Sequence, residues 1–280
     1  MHNLLLLFIL AASALSAGVP IRSHPPKDYQ VYLMLGQSLI QSGAFSGDSA
    51  AINGREFDDQ TLSFWQSRPD SGKKHERTLR YALNYGGDES TGFDSAFARE
   101  MYAQGERNIV IIRYAVGGHS IVCWVPSGDR LEPIPGGGQI DRVDLAKAFF
   151  ADRLSWLTRR GDTYTLRGMV MWQGSSDRGT ADLYNNYEAH LDFVKADYRA
   201  IYPNLKWLQV VSPDWDAAAG VLVVQGAQID SSAGDADAAY VLSDPALGVT
   251  VSYSDGTHPL SADTERVGVQ AARKLSALGW

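Results

Sequence analysis

Val31-Tyr32-Leu33-Met34-Leu35-Gly36-Gln37-Ser38 is an unbroken apolar run that ends in a glycine and two polar residues. An apolar run of this length, rich in β-branched and aromatic residues, reads as a strand buried on both faces. Four further runs have the same character, so strands are expected near 29–35, 108–114, 166–172, 206–212 and 239–243. Helical spacing falls between them. Phe93, Phe97 and Met101 step by four. Val143, Ala146, Phe150, Leu154 and Leu157 step by three and four, as do Leu183, Tyr187, Leu191, Val194, Tyr198 and Ile201. Val267, Ala271 and Leu275 mark a last helix, with Ser261 as its expected cap and Asp263 near its positive end. Strands alternating with helices predict a mostly parallel five-stranded sheet covered on both faces, an α/β fold in three α/β/α layers.

The chain has 280 residues and is 45% hydrophobic, enough for the core of a single α/β domain spanning 18–280. Its formal net charge is -7 with no Lys/Arg cluster, which argues against nucleic acid as a partner. Leu4 to Ala12 is apolar and is followed by Ser13-Ala14-Leu15-Ser16-Ala17, the pattern of a secretory signal peptide over residues 1–17. Cleavage is expected after Ser16 or Ala17, leaving a secreted protein with no membrane attachment; the rival is an uncleaved anchor. Cys123 is the only cysteine, and among Ile121, Val122 and Trp124 it reads as a buried, inert thiol. Ser42 to Glu89 is polar and lacks strong periodicity; it holds either short elements or a functional insertion. Gly136-Gly137-Gly138 marks a flexible turn after Pro133 and Pro135.

Ligands of open parallel sheets bind beyond the carboxyl ends of the strands. Ser38 follows the first strand, Gly117-Gly118 the second, Trp172-Gln173-Gly174 the third, and Asp255 and His258 the last. Four polar or glycine-rich clusters thus fall on one rim. A serine hydroxyl is a weak nucleophile until a base takes its proton, and His258 is the expected base. Asp255 precedes it by three residues, with Gly256 allowing the carboxylate to fold back onto the imidazole. The Ser38 and Gly118 backbone N–H groups and the Gln173 side-chain amide are the expected oxyanion donors. Gln37, His119 and Trp124 are the expected substrate-binding residues, although His119 reads equally well as a solvated loop residue. Trp172 reads as core. Arg113, inside an apolar run, needs a buried partner, for which Asp177 is the candidate.

Gly36-Gln37-Ser38, the helix start from Gly92 to Glu100, Ala115-Val116-Gly117-Gly118, Trp172-Gln173-Gly174-Ser175-Ser176-Asp177, Ala227-Gln228 and Asp255-Gly256-Thr257-His258-Pro259 occur in that order. Over 28–278 the chain resembles the SGNH-hydrolase superfamily, closest to the branch of sialate O-acetylesterases and family six carbohydrate esterases, which includes acetylxylan esterases. The resemblance implies a flavodoxin-like domain that removes acetyl groups from an acetylated polysaccharide or oligosaccharide, with no metal or organic cofactor. It implies Ser38 as nucleophile, His258 as base, Asp255 as its orienter, and Gly118 and Gln173 in the oxyanion hole. Two positions depart from the family pattern: Leu39 stands where Asn is usual, and Ser175 where Glu is usual. These departures motivate an alternative, a catalytically silent carbohydrate-binding protein on the same fold; an esterase of non-sugar esters is the other.

Overall fold

The computed structural model describes residues 25–41, 62–67, 75–78, 93–125, 132–133, 139–140, 142–211, 219–243 and 258–280. The expected signal peptide, the Gly136–Gly138 turn and Asp255 lie outside the described residues.

The quoted apolar run forms strand β1 (Asp28–Gly36). Side chains alternate along a strand, so β1 feeds two cores at once. Val31, Leu33 and Leu35 enter one apolar cluster, and Tyr32 and Met34 enter the other. Complete burial of each such side chain is worth about 1.5–3 kcal/mol. The sheet is completed by β2 (Leu62–Ser67), β3 (His75–Thr78), β4 (Ile109–Ala115), β7 (Thr163–Trp172), β8 (Trp207–Val211) and β9 (Ala238–Leu242). Its order is β3-β2-β4-β1-β7-β8-β9. All neighbouring pairs are parallel except β2 with β3. The five expected strands form its continuous parallel body. β2 and β3 extend one edge from within the polar stretch 42–89. A short ribbon of β5 (Glu132–Pro133) and β6 (Gln139–Ile140) flanks the triple glycine.

Helices close both faces. α2 (Phe93–Ala103) and α7 (Ser261–Ala277) place Phe93, Phe97, Met101, Val267, Ala271 and Leu275 in the core shared with Tyr32 and Met34. On the other face, α3 (Arg142–Arg159), α5 (Tyr187–Ile201) and α6 (Ala219–Ala233) supply Val143, Phe150, Leu154, Leu191, Val194 and Val224. The fold is therefore the three-layer α/β/α arrangement. The pattern from Leu183 to Ile201 is not one helix. It breaks at Asn186 (φ -104°, ψ 6°) into α4 (Ala181–Asn185) and α5, and the Asn186 amide donates to Asp182 O at 2.8 Å, satisfying a carbonyl of the short helix. Ser261 is the first helical residue of α7 rather than its cap, a place taken by Leu260, while Asp263 lies in the first turn and pairs with Arg266 at 2.7 Å. No helix of the described residues is long and apolar enough to cross a membrane.

The chain leaves β1 toward β4 on one side and later returns to β7 on the other. The strand order reverses at β1, and the crevice beyond its carboxyl end is where such sheets bind ligands.

Candidate active site

Ser38 opens a single helical turn, α1 (Ser38–Gln41), directly after β1. The strand delivers it at a fixed height. Gly36 pairs with Ala115 on β4 and Trp172 on β7, and its carbonyl accepts the Val116 N–H at 3.0 Å. A Cβ on Gly36 would stand 2.1 Å from Trp172 O, so only glycine allows the two strands to meet there. Leu39 and Ile40 are wholly buried against α2 and β7 residues. Leu39, at the position where the family pattern has Asn, is thus a core residue that helps fix the turn carrying Ser38.

His258 lies three residues before α7, and its Nε2 is 2.9 Å from Ser38 Oγ. The two groups are 220 residues apart in sequence and meet at the carboxyl edge of the sheet. That distance suits direct proton transfer between a nucleophile and its base. The Ser38 residue is 6% exposed, so the hydroxyl is largely shielded from bulk water.

The Gly117-Gly118 loop follows β4 on the same edge. Gly118 has φ +76°, a left-handed conformation that glycine adopts without penalty. His119 Nδ1 is 2.8 Å from Gly117 O, and Arg142 Nε donates to His119 Nε2 at 3.1 Å.

Three expected site residues have other work. Gln173 is fully buried, and its Nε2 donates to His119 O at 3.0 Å and to Asp177 Oδ2 at 2.7 Å. An amide nitrogen carries two hydrogens, so both are engaged and the side chain is not an oxyanion donor in this arrangement. Its Oε1 accepts from the Tyr187 hydroxyl at 2.6 Å. Burial holds that phenol well above its ordinary range, so it remains a donor. Gln228 Nε2 donates in turn to Tyr187 Oη at 3.1 Å and to Gln173 O at 2.6 Å. Gln37 is also fully buried and faces protein rather than a ligand. With its amide nitrogen toward His119 O at 3.0 Å, its oxygen accepts from the Ser175 N–H at 3.0 Å. Ser175 therefore meets Gln37 at the position where the family pattern has Glu. Trp124 lies in a short 3-10 turn (Ile121–Trp124), is 0% exposed and packs edge-on against Tyr114 at 6.0 Å, so it offers no face to a sugar. Cys123 and Trp172 are buried, as expected.

Asp177 does not pair with Arg113. Its carboxylate accepts from the Ile121 N–H at 2.9 Å and from Gln173, tying the loops after β4 and β7 together. Burial pushes its carboxyl from 3.8 up to about 7, with the Gln173 and Ile121 hydrogen bonds pulling the other way. The folded protein thus holds this proton at pH values where the unfolded chain has released it. The associated stability is fully present below about pH 3.8 and is lost as pH rises through about 7. Urea unfolding at pH 5 and pH 8 is expected to give a lower midpoint at pH 8. Asp177→Asn, which has no proton to lose there, is expected to flatten that difference; an unchanged difference would contradict the assignment.

Arg113 instead pairs with Asp94 Oδ2 at 3.1 Å and donates to Ile40 O at 3.2 Å. It braces the turn carrying Ser38 from below. Asp94, Arg142, Tyr187 and the scaffold role of Asp177 escaped the sequence reading. Asp94 sits beside the apolar stepping of Phe93, Phe97 and Met101, Tyr187 is itself a step of an apolar pattern, and nothing in spacing links Arg142 to His119. No group of three or more His, Cys, Asp or Glu side chains that could hold a metal occurs among the described residues.

A three-layer α/β/α domain with a hydroxyl–imidazole pair at the carboxyl edge of its mostly parallel sheet is a framework that suits ester hydrolysis. The family model for carbohydrate esterases described as sialic acid-specific acetylesterases matches residues 28–275, and the chain belongs to that family. It is a carboxylic ester hydrolase, and the family implies a carbohydrate substrate. No curated protein matches the chain. Among solved structures, a protein from Arabidopsis thaliana is similar at 15% identity and TM-score 0.66, covering 90% of this chain and 99% of that one. A carbohydrate acetylesterase from Xanthomonas citri is similar at 17% identity and TM-score 0.60, covering 89% of this chain and 57% of that one. NanS is similar at 14% identity and TM-score 0.58, covering 90% and 97%. At these identities the likenesses speak to the fold.

Proposed function

We propose that the chain is a secreted carbohydrate O-acetylesterase acting through a serine acyl-enzyme. The observation that carries the mechanism is the 2.9 Å contact between Ser38 Oγ and His258 Nε2. Oγ attacks the acetyl carbon while His258 takes its proton. The tetrahedral oxyanion is held by the Ser38 and Gly118 N–H groups. Collapse breaks the ester C–O bond, and His258 returns the proton to the departing sugar oxygen. Water then attacks the acetyl-enzyme with His258 again as base, releasing acetate and restoring the Ser38 hydroxyl. Asp255, three residues before His258, is assigned the orienting role on its spacing. Export is proposed from the apolar run Leu4–Ala12 and the small residues after it, and predicts an exported amino terminus at Ala17 or Gly18.

Acetate release from a panel of acetylated glycans tests the substrate class, alongside 4-nitrophenyl acetate and octanoate. Acetate release from at least one glycan, with the octanoate ester rejected, is expected. Preference for the octanoate with no glycan deacetylated would contradict it.

A further inference from the structure

Gly118 adopts its left-handed conformation with open space beside it: apart from its chain neighbours, no residue has an atom within 4 Å of where a Cβ would stand. Gly117 and Gly118 are exposed, and the direction of the peptide between them decides where the Gly118 N–H points. A peptide unit is planar and trans, so its C=O and N–H point in opposite directions. Whatever holds the Gly117 oxygen therefore also aims the Gly118 N–H.

His119 holds it. A carbonyl only accepts, so in the 2.8 Å contact with Gly117 O the His119 Nδ1 carries the hydrogen. A guanidinium only donates, so the 3.1 Å contact with Arg142 Nε requires Nε2 to be the acceptor. The two contacts select one tautomer, the one that can hold the carbonyl. Arg142 is itself buried: it is 5% exposed at the first residue of α3. The backbone of His119 is held as well, because its carbonyl accepts from Gln173 at 3.0 Å and from Gln37 at 3.0 Å. The ring thus springs from a fixed backbone and meets a buried cation.

We propose that His119 is a positioning residue for ester hydrolysis, whose ring, in the tautomer set by Arg142, aims the Gly118 N–H at the developing oxyanion. This rests on the reading of Ser38 as nucleophile and Gly118 as oxyanion donor.

Two substitutions separate the two ring nitrogens. His119→Asn places an amide N–H near the position of Nδ1 and keeps the hold on Gly117 O without needing Arg142. His119→Gln places its amide near the position of Nε2, keeping the Arg142 contact and losing the hold. Steady-state hydrolysis of 4-nitrophenyl acetate by the full chain reads both. With His119→Gln, kcat is expected to fall about 10- to 100-fold, a large part of the loss seen on removing an oxyanion donor. KM is expected to stay within about twofold, because the interaction develops only in the transition state. With His119→Asn, kcat is expected to stay within about threefold of the parent, since the hold on Gly117 O persists. Any other ranking of the three proteins in kcat overturns the proposal. Ser38→Ala run in parallel keeps the two readings apart. Full turnover in that variant removes the nucleophile assignment itself, whereas a silent Ser38→Ala beside an active His119→Gln removes only the role given to His119.

Discussion

Ser38→Ala is expected to lower ester turnover by about 10⁴- to 10⁶-fold, and His258→Ala by a similar factor. A nucleophile and the base that activates it act as one unit, so losing either removes most of the advantage of having both. The double variant is accordingly expected to be scarcely slower than either single one. The residual rate belongs to the oxyanion donors and to substrate binding, which neither substitution touches. Structure is not at stake in the serine variant. Ser38→Ala removes one oxygen at a strand edge whose backbone is held by Gly36, Val116 and Trp172. Turnover by 4-nitrophenyl acetate hydrolysis, with melting temperature as a control, decides the matter. Multiplying losses in the double variant would mean that the two groups act independently despite their 2.9 Å contact.

Asp94→Ala is expected to destabilise the protein by about 3–5 kcal/mol, the loss that follows when one member of a buried ion pair is removed and the other charge is left behind. The Arg113 and Asp94 side chains are 7% and 11% exposed and sit 3.1 Å apart. Arg113 cannot shed its proton, and water reaches it poorly. Replacing both residues, as Arg113→Met with Asp94→Leu, is expected to be milder than Asp94→Ala, because no charge then remains buried. Urea unfolding of the single and double variants measures this. Arg113 also supports Ile40 O, two residues past Ser38. Asp94→Ala is therefore also expected to reduce kcat under conditions where the protein is still folded. A loss under about 1 kcal/mol would place the pair among ordinary surface ion pairs.

The parallel body of the sheet was legible because its central strands β1 and β4, and the second half of β7, are buried on both faces. Val31, Leu33 and Leu35 serve one core while Tyr32 and Met34 serve the other, so the run has no polar interruption. β2 and β3 were not legible for the converse reason: they lie in a polar stretch at the sheet edge, without the continuous apolar signal of the central strands. The break at Asn186 hid inside a good helical period, since apolar spacing does not register one residue that leaves helical geometry. The meeting of Ser38 and His258 could be expected because both follow strand signals on one rim. The sharing of roles on that rim could not. A polar side chain after a strand turns either toward a ligand or back into the scaffold, and the sequence is the same for both. Gln173 and Gln37 turn inward to meet the His119 carbonyl and the Ser175 N–H, which would otherwise lack these partners, whereas Trp124 turns inward to pack against Tyr114. Arg113 found Asp94 rather than Asp177 because α2 packs across the face of the sheet beneath α1, a relation set by the layers rather than by the rim.

The most direct test of the Ser38–His258 unit is reaction with a fluorophosphonate, followed by peptide mapping of the modified residue. Phosphonylation at Ser38 is the predicted result, absent in Ser38→Ala and slowed by orders of magnitude in His258→Ala. Modification elsewhere, no modification at all, or an undiminished rate without His258 would contradict the account.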